Sequence, residues 1–152
     1  MEEVTRPGRP NLSARQLEIA RAPLCALLRW DHPLAGAAAL SADDLREQTV
    51  LLFEHSGPHS AAIDNFFGGC HYMAGTTYIR VSDAAVGLAA EGLGIALVDG
   101  FTAMDWLPPG LVRLPLVNAP EFQARLYWNR ERPGSKFVDL LHKTLTTLTT
   151  ET

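Results

Sequence analysis

Val81-Ser-Asp-Ala-Ala-Val-Gly-Leu-Ala-Ala-Glu-Gly-Leu-Gly-Ile-Ala-Leu-Val98 contains a complete change of secondary structure within one short stretch. Ser82 or Asp83 is placed to cap a helix, because a short side-chain oxygen there accepts from a backbone N–H that has no partner inside the helix. Ala85, Leu88 and Ala89 then form an apolar face. Gly92 supplies a left-handed residue that stops the helix, and Leu93 folds back on its last turn. One turn later the period changes. Ile95, Ala96, Leu97 and Val98 are a continuous apolar run, which reads as a strand buried on both faces of a parallel sheet.

Upstream, the same alternation of helix and strand repeats. Residues 24–28 are a short apolar run after Pro23, and Trp30-Asp31-His32-Pro33 is a turn, since a proline biases the residue before it away from helix. In Ser41-Ala-Asp-Asp44 the serine caps N–H groups while Asp44 reaches back, a capping box that starts a short helix through Glu47. Residues 49–53 form the next strand. The loop His55-Ser-Gly-Pro-His-Ser60 follows, with Pro58 suited to the first turn of a helix running to about Phe67 and ended by Gly68-Gly69. Ile63, Phe66 and Phe67 give that helix its apolar face. Residues 78–81 are then a strand leading into the helix quoted first. With a helix between successive strands, residues 24–98 predict a largely parallel sheet covered by helices on its faces.

The helix-Gly-Leu-Gly-Ile-strand block resembles a signature of the effector-binding domain of LysR-type bacterial transcriptional regulators. His32-Pro-Leu-Ala35 followed by Ser41-Ala-Asp-Asp-Leu45 is similar to a second stretch of that domain, in the same order. The resemblance covers roughly residues 17–148. It implies an α/β fold of the type 2 periplasmic-binding-protein topology, with a complete second lobe, a mainly parallel sheet and a partial first lobe. The family's winged helix-turn-helix and the first part of its first lobe have no counterpart in this sequence. The expected divisions are residues 1–23, an irregular leader and edge strand; 24–98, the second lobe; and 99–152, the return crossing and carboxyl-terminal part of the first lobe. In that last part, residues 101–106 predict a short helix, 111–116 and 124–128 alternate as strands, and Ser135 caps a final helix. Phe137, Leu140, Leu141, Leu145 and Leu148 recur there at helical spacing. Five threonines from Thr144 to Thr150 predict a frayed end.

Composition narrows the function. The chain has 152 residues, enough for one core, with 47% hydrophobic and 20% charged residues, as in an ordinary globular domain. A formal charge of −4 and scattered basic residues argue against direct nucleic-acid binding, which draws most of its affinity from Lys and Arg on phosphates. No apolar segment approaches the roughly 18 residues of a membrane span, and no signal-peptide core is present, so the expected compartment is the cytoplasm. Cys25 and Cys70 make neither a metal nor a disulfide motif.

Catalytic chemistry finds no support. His55 and His59 are four apart, with Cys70 and His71 following, but Gly57-Pro58 breaks the helical geometry that would aim the pair at one ion, so no metal site is expected. No G-x-S-x-G elbow occurs, and Gly92-Leu-Gly94 precedes a strand where a dinucleotide fingerprint follows one. No cofactor is expected. Ligands in parallel α/β sheets gather at the carboxyl ends of strands, where the next helix presents unsatisfied N–H groups. Two such ends place Ser56, His59 and Ser60 after one strand and Ser82 and Asp83 after another.

The resemblance adds Phe101 and Thr102, since the family's small-molecule effector lies in the cleft between lobes and is contacted from equivalent loops and from the segment after the last strand, here Asp99 to Thr102. Gly100 stands where many relatives have proline, and is expected to loosen that crossing. The Val-Asp-Gly-Phe-Thr-Ala run is similar to that of members answering to amino acids or opines. The reading is therefore a sensor of a small polar, amino-acid-like metabolite that forms homo-oligomers and carries out no chemical step. A stand-alone binding protein or regulator remnant, and an enzyme of unknown reaction, are the alternatives.

Overall fold

The apolar runs become strands of one mixed sheet, and the glycine-ended segments become the helices that cover it. The computed structural model describes residues 14–53, 58–69, 75–104, 107–129 and 136–150. In chain order its elements are β1 (Ala14–Arg29), α1 (Ala42–Leu45), β2 (Thr49–Phe53), α2 (Pro58–Phe66), β3 (Gly75–Ile79), α3 (Ser82–Ala90), β4 (Ile95–Asp99), β5 (Leu111–Pro115), β6 (Glu121–Asn129) and α4 (Lys136–Thr150). The strand order is β3-β2-β4-β1-β5, with β6 pairing to β1 off this path. β2 runs parallel to both β3 and β4, in the register Phe53 to Ile79 and Leu51 to Ala96. β1 is antiparallel to β4 and to β5. The five strands of that path therefore share one direction except β1, so the expected parallel character holds with one reversed strand.

Two compact units divide the chain. The first, Ala22–Phe122, contains a sheet with two apolar faces. Because side chains alternate along a strand, Leu24, Ala26, Leu28, Val50, Leu52, Ile95 and Leu97 fall on one side, packed with Leu45 of α1 and with Ile63 and Phe67 at α2. Cys25, Leu27, Leu51, Ala96 and Val98 fall on the other, packed with Ala85 and Ala89 of α3. Ile95 through Val98 are fully buried, as a strand covered on both faces requires.

Both longer helices of this unit stop by the same device. Gly92, with φ of 75°, donates its N–H to Ala89 O while Leu93 donates to Leu88 O; Gly68, with φ of 70°, donates to Asn65 O while Gly69 donates to Asp64 O. These paired bonds satisfy helix-end carbonyls through a left-handed residue that glycine adopts without penalty. Gly94 is required for a different reason: a Cβ there would stand 2.7 Å from the backbone oxygen of Thr49.

Several expectations are corrected. The edge strand expected within residues 1–23 and the apolar run 24–28 are not separate strands but parts of the continuous β1. Pro23 lies just outside the β4 ladder, whose register begins at Leu24 opposite Asp99, so its missing N–H removes no bond to that strand. The strand before α3 ends at Ile79 instead of Val81, and α1 ends at Leu45, two residues early. The helix expected over 101–106 is a series of tight turns through Met104, because the bonds there span three residues, Thr102 N–H to Asp99 O and Ala103 N–H to Gly100 O. Residues 105 and 106 and the Ser135 cap lie outside the described residues.

The second unit comprises the described residues up to Arg21 and those from Gln123 onward. Within it Arg125 Nη1 donates to Gln16 Oε1 at 3.2 Å. Helix α4 runs through Thr150, so its threonines do not shorten it. Thr147 turns its hydroxyl onto the Lys143 carbonyl at 2.8 Å, a bond along the helix that hides the polar group. Phe137 and Leu140 of the same helix are exposed.

Candidate functional site

Parallel strands β2, β3 and β4 finish on one edge of the sheet, and each is followed by residues singled out in the sequence. After β2, Ser56 lies outside the described residues, while His59 and Ser60 are the second and third residues of α2. Ser60 is half-buried. After β3, Ser82 is the first residue of α3 and half-buried, and Asp83 is exposed. After β4, Phe101 and Thr102 are half-buried in the turn.

Neither Ser82 nor Asp83 caps α3, contrary to expectation. The cap position is Val81, in extended conformation, and no side chain bonds to the helix start. Ser82 and Asp83 stand one and two residues too far along the chain, inside the helix, where their oxygens no longer point at the first N–H groups. Contrast α1, where Ser41 sits at the cap position. Its Oγ accepts from Asp44 N–H at 3.3 Å while Asp44 Oδ2 accepts from Ser41 N–H at 2.8 Å. The Ser41 hydroxyl, which donates to Asp44 Oδ2 at 2.6 Å, and then the Ser41 N–H hold the Asp44 carboxyl below the usual carboxylate range.

The sequence reading placed Asp99 in the segment after the last strand but gave it no role of its own. Its Oδ1 accepts the Thr102 N–H at 3.0 Å and its Oδ2 accepts the Thr102 hydroxyl at 3.1 Å. An Asp followed three residues later by Thr, at the end of an apolar run, was the available signal. Gly100 tightens the turn where a looser one was expected. It is buried, its N–H donates to Pro23 O at 2.8 Å, and a Cβ would lie 3.0 Å from that oxygen and from Ala22 Cβ. Arg113 Nη1 then donates to Ala103 O at 3.1 Å.

Cys25 lies in β1 directly opposite Val98 and its Sγ contacts Val98 O at 3.5 Å. Burial pushes this thiol up to about 11; Arg113 opposes the shift and Asp99 adds to it. Such a thiol carries almost no thiolate near neutral pH and is a poor nucleophile. Among the described residues no three His, Cys, Asp or Glu side chains are grouped to hold a metal ion. His55, Cys70 and His71, raised in that connection, lie outside the described residues.

Residues 4–149 match the family model described as the LysR substrate binding domain. No curated protein matches the sequence. Among solved structures, the chain is similar to the reduced form of the OxyR regulatory domain from Pseudomonas aeruginosa, with 18% identity and a TM-score of 0.72, covering 95% of this chain and 70% of that one. It is similar also to the Synechocystis CcmR regulatory domain in complex with 2-PG, at 19% identity and a TM-score of 0.72, covering 96% and 71%. The BenM effector-binding domain with its effector benzoate matches at 19% identity and a TM-score of 0.70, covering 97% and 66%. At these identities the likeness is one of fold.

Proposed function

Because the chain belongs to the LysR substrate-binding domain family and is an effector-sensing domain of a LysR-type transcriptional regulator, we propose that its effector is a small, polar, amino-acid-like metabolite. The observation that carries this reading is the shared edge of β2, β3 and β4, where serine, threonine and aspartate side chains follow three strand ends. Ser56, His59 and Ser60 hold the carboxylate at the start of α2, where oriented N–H groups favour an anion. Asp83 faces the amino group, and Ser82 and Thr102 bridge, with Phe101 beside them. That Asp83 makes no capping bond supports its assignment, since its carboxylate is not spent on the helix start.

The reaction is binding alone, without a chemical step and without a cofactor. No helix among the described residues is long and apolar enough to cross a membrane, and the proposed setting is the cytoplasm. The exposed Phe137 and Leu140 on α4 support self-association, as apolar surface of that kind is a ready contact for another copy. Affinity for the effector is on the order of micromolar, the range of a small ligand held by a few polar groups.

Calorimetry with a panel of L-amino acids and their matched deaminated acids tests the assignment. The amino acids should bind more tightly, and Asp83→Asn should cut that preference about tenfold, near 1.4 kcal/mol. An unchanged preference in Asp83→Asn removes Asp83 from the site and the amino-acid reading with it.

A further inference from the structure

The turn after β4 is held so firmly that it fixes which way a hydrogen bond can point. A hydroxyl has one hydrogen to give and two lone pairs with which to accept, and an ionised carboxylate only accepts. Thr102 gives its hydroxyl hydrogen to Asp99 Oδ2, while Asp99 Oδ1 takes the backbone N–H of the same residue. What remains on Thr102 Oγ1 is acceptor capacity. Rearrangement is opposed on every side, since Gly100 is pinned to Pro23 O, Ala103 is buried in the core and Arg113 holds the Ala103 carbonyl.

We propose that Asp99 is a positioning residue that sets the hydrogen-bond polarity of Thr102, so that the effector group received there is a donor, an ammonium, amide N–H or hydroxyl, and not a carboxylate. This rests on the reading of Thr102 as an effector contact, and deepens it by assigning the orientation of the effector. A carboxylate at this place would meet lone pairs on Oγ1 with the Asp99 charge directly behind them, two repulsions with no bond to offset them. An ammonium meets an acceptor made more basic by its own bond to a carboxylate, because linked hydrogen bonds polarise one another. The amino-group end of the effector therefore lies toward the end of β4, and the carboxylate end toward α2.

Nuclear magnetic resonance of the full chain decides this, following the Thr102 amide and methyl signals while adding L-amino acids, their deaminated acids and their decarboxylated amines. The amine-bearing compounds should shift Thr102 and the deaminated acids should not. Asp99→Asn can turn its amide hydrogen toward Oγ1 and free the Thr102 hydrogen, so preference should move about tenfold toward the deaminated acids. Thr102→Ser should keep the parent preference and Thr102→Val should weaken it without inversion, since Asp83 is unchanged. Should Asp99→Asn fail to fold, the serine and valine pair carries the decision alone. Deaminated acids that shift Thr102 as strongly as amines overturn the polarity rule and leave the effector contact standing. A preference undiminished in Thr102→Val overturns it too, since long-range charge and not the hydroxyl would then discriminate. If no compound shifts Thr102 at millimolar concentration, the contact and the polarity rule both fall.

Discussion

The two faces of the sheet are made by the same strands yet solve packing in opposite ways. On the face that receives α1 and α2, large side chains meet large side chains: Leu45, Ile63 and Phe67 against Leu24, Leu28, Val50, Leu52 and Leu97. On the face that receives α3, the helix brings Ala85 and Ala89 to Ala96, Val98 and Leu27. Small residues leave the helix little room to shift, whereas leucines fill space that smaller side chains would leave empty. Each face is therefore sensitive to the opposite kind of change.

The largest expected effect breaks the leucine face. Leu97→Ala removes a fully buried side chain and should lower unfolding free energy by about 2–5 kcal/mol in urea titration, with the spread set by how far α2 can collapse into the space. On the alanine face the damaging change is growth. Ala85→Leu should cost about 1–3 kcal/mol, because α3 must move outward to admit it. If Ala85→Leu is neutral, α3 is not closely seated and the contrast between faces fails.

A finer contrast lies at the helix starts. Ser41→Ala should cost about 1 kcal/mol through loss of the cap on α1, while Ser82→Ala should stay within about 0.5 kcal/mol, since it removes no capping bond. Equal effects would show that Ser82 is structural after all. The smallest effect is in acid. Asp44 has a lowered pKa, so its contribution to stability is present above the ordinary carboxylate value of 3.8 and is lost as pH falls through the folded value. Ser41→Ala removes the hydroxyl bond and keeps the backbone one, so it should reduce that part of the acid dependence, read as a difference between two unfolding curves taken at neutral pH and below pH 3.8.

These contrasts explain why some of the molecule was legible in the sequence. The unit α3 to β4 could be read because its signals are local: Gly92 ends a helix, and Ile95 to Val98 is apolar without interruption. The reversal of β1 could not, since a strand carries no mark of its direction and Pro23 reads as punctuation in a strand that continues through it. At the site, the order of strand ends was legible from the alternation of helix and strand. The cap of α3 was misassigned by a single register step, because Ser82 and Asp83 have the right chemistry and only the backbone at Val81 decides where the helix begins. The role of Asp99 was not legible for a related reason. A carboxylate at a strand end can face solvent, a ligand or its own turn, and the choice depends on how tightly Gly100 is drawn against Pro23.

Cys25 has a consequence for the kind of signal the domain can receive. With its thiol raised to about 11, only about one molecule in ten thousand carries the sulfur as a thiolate at pH 7. Peroxides react with thiolates, so this position is chemically quiet toward oxidants even while its neighbour in the ladder, Val98, leads straight to the turn that holds Thr102. At Cys25 the domain therefore offers an oxidant almost no reactive sulfur, in the strand next to β4.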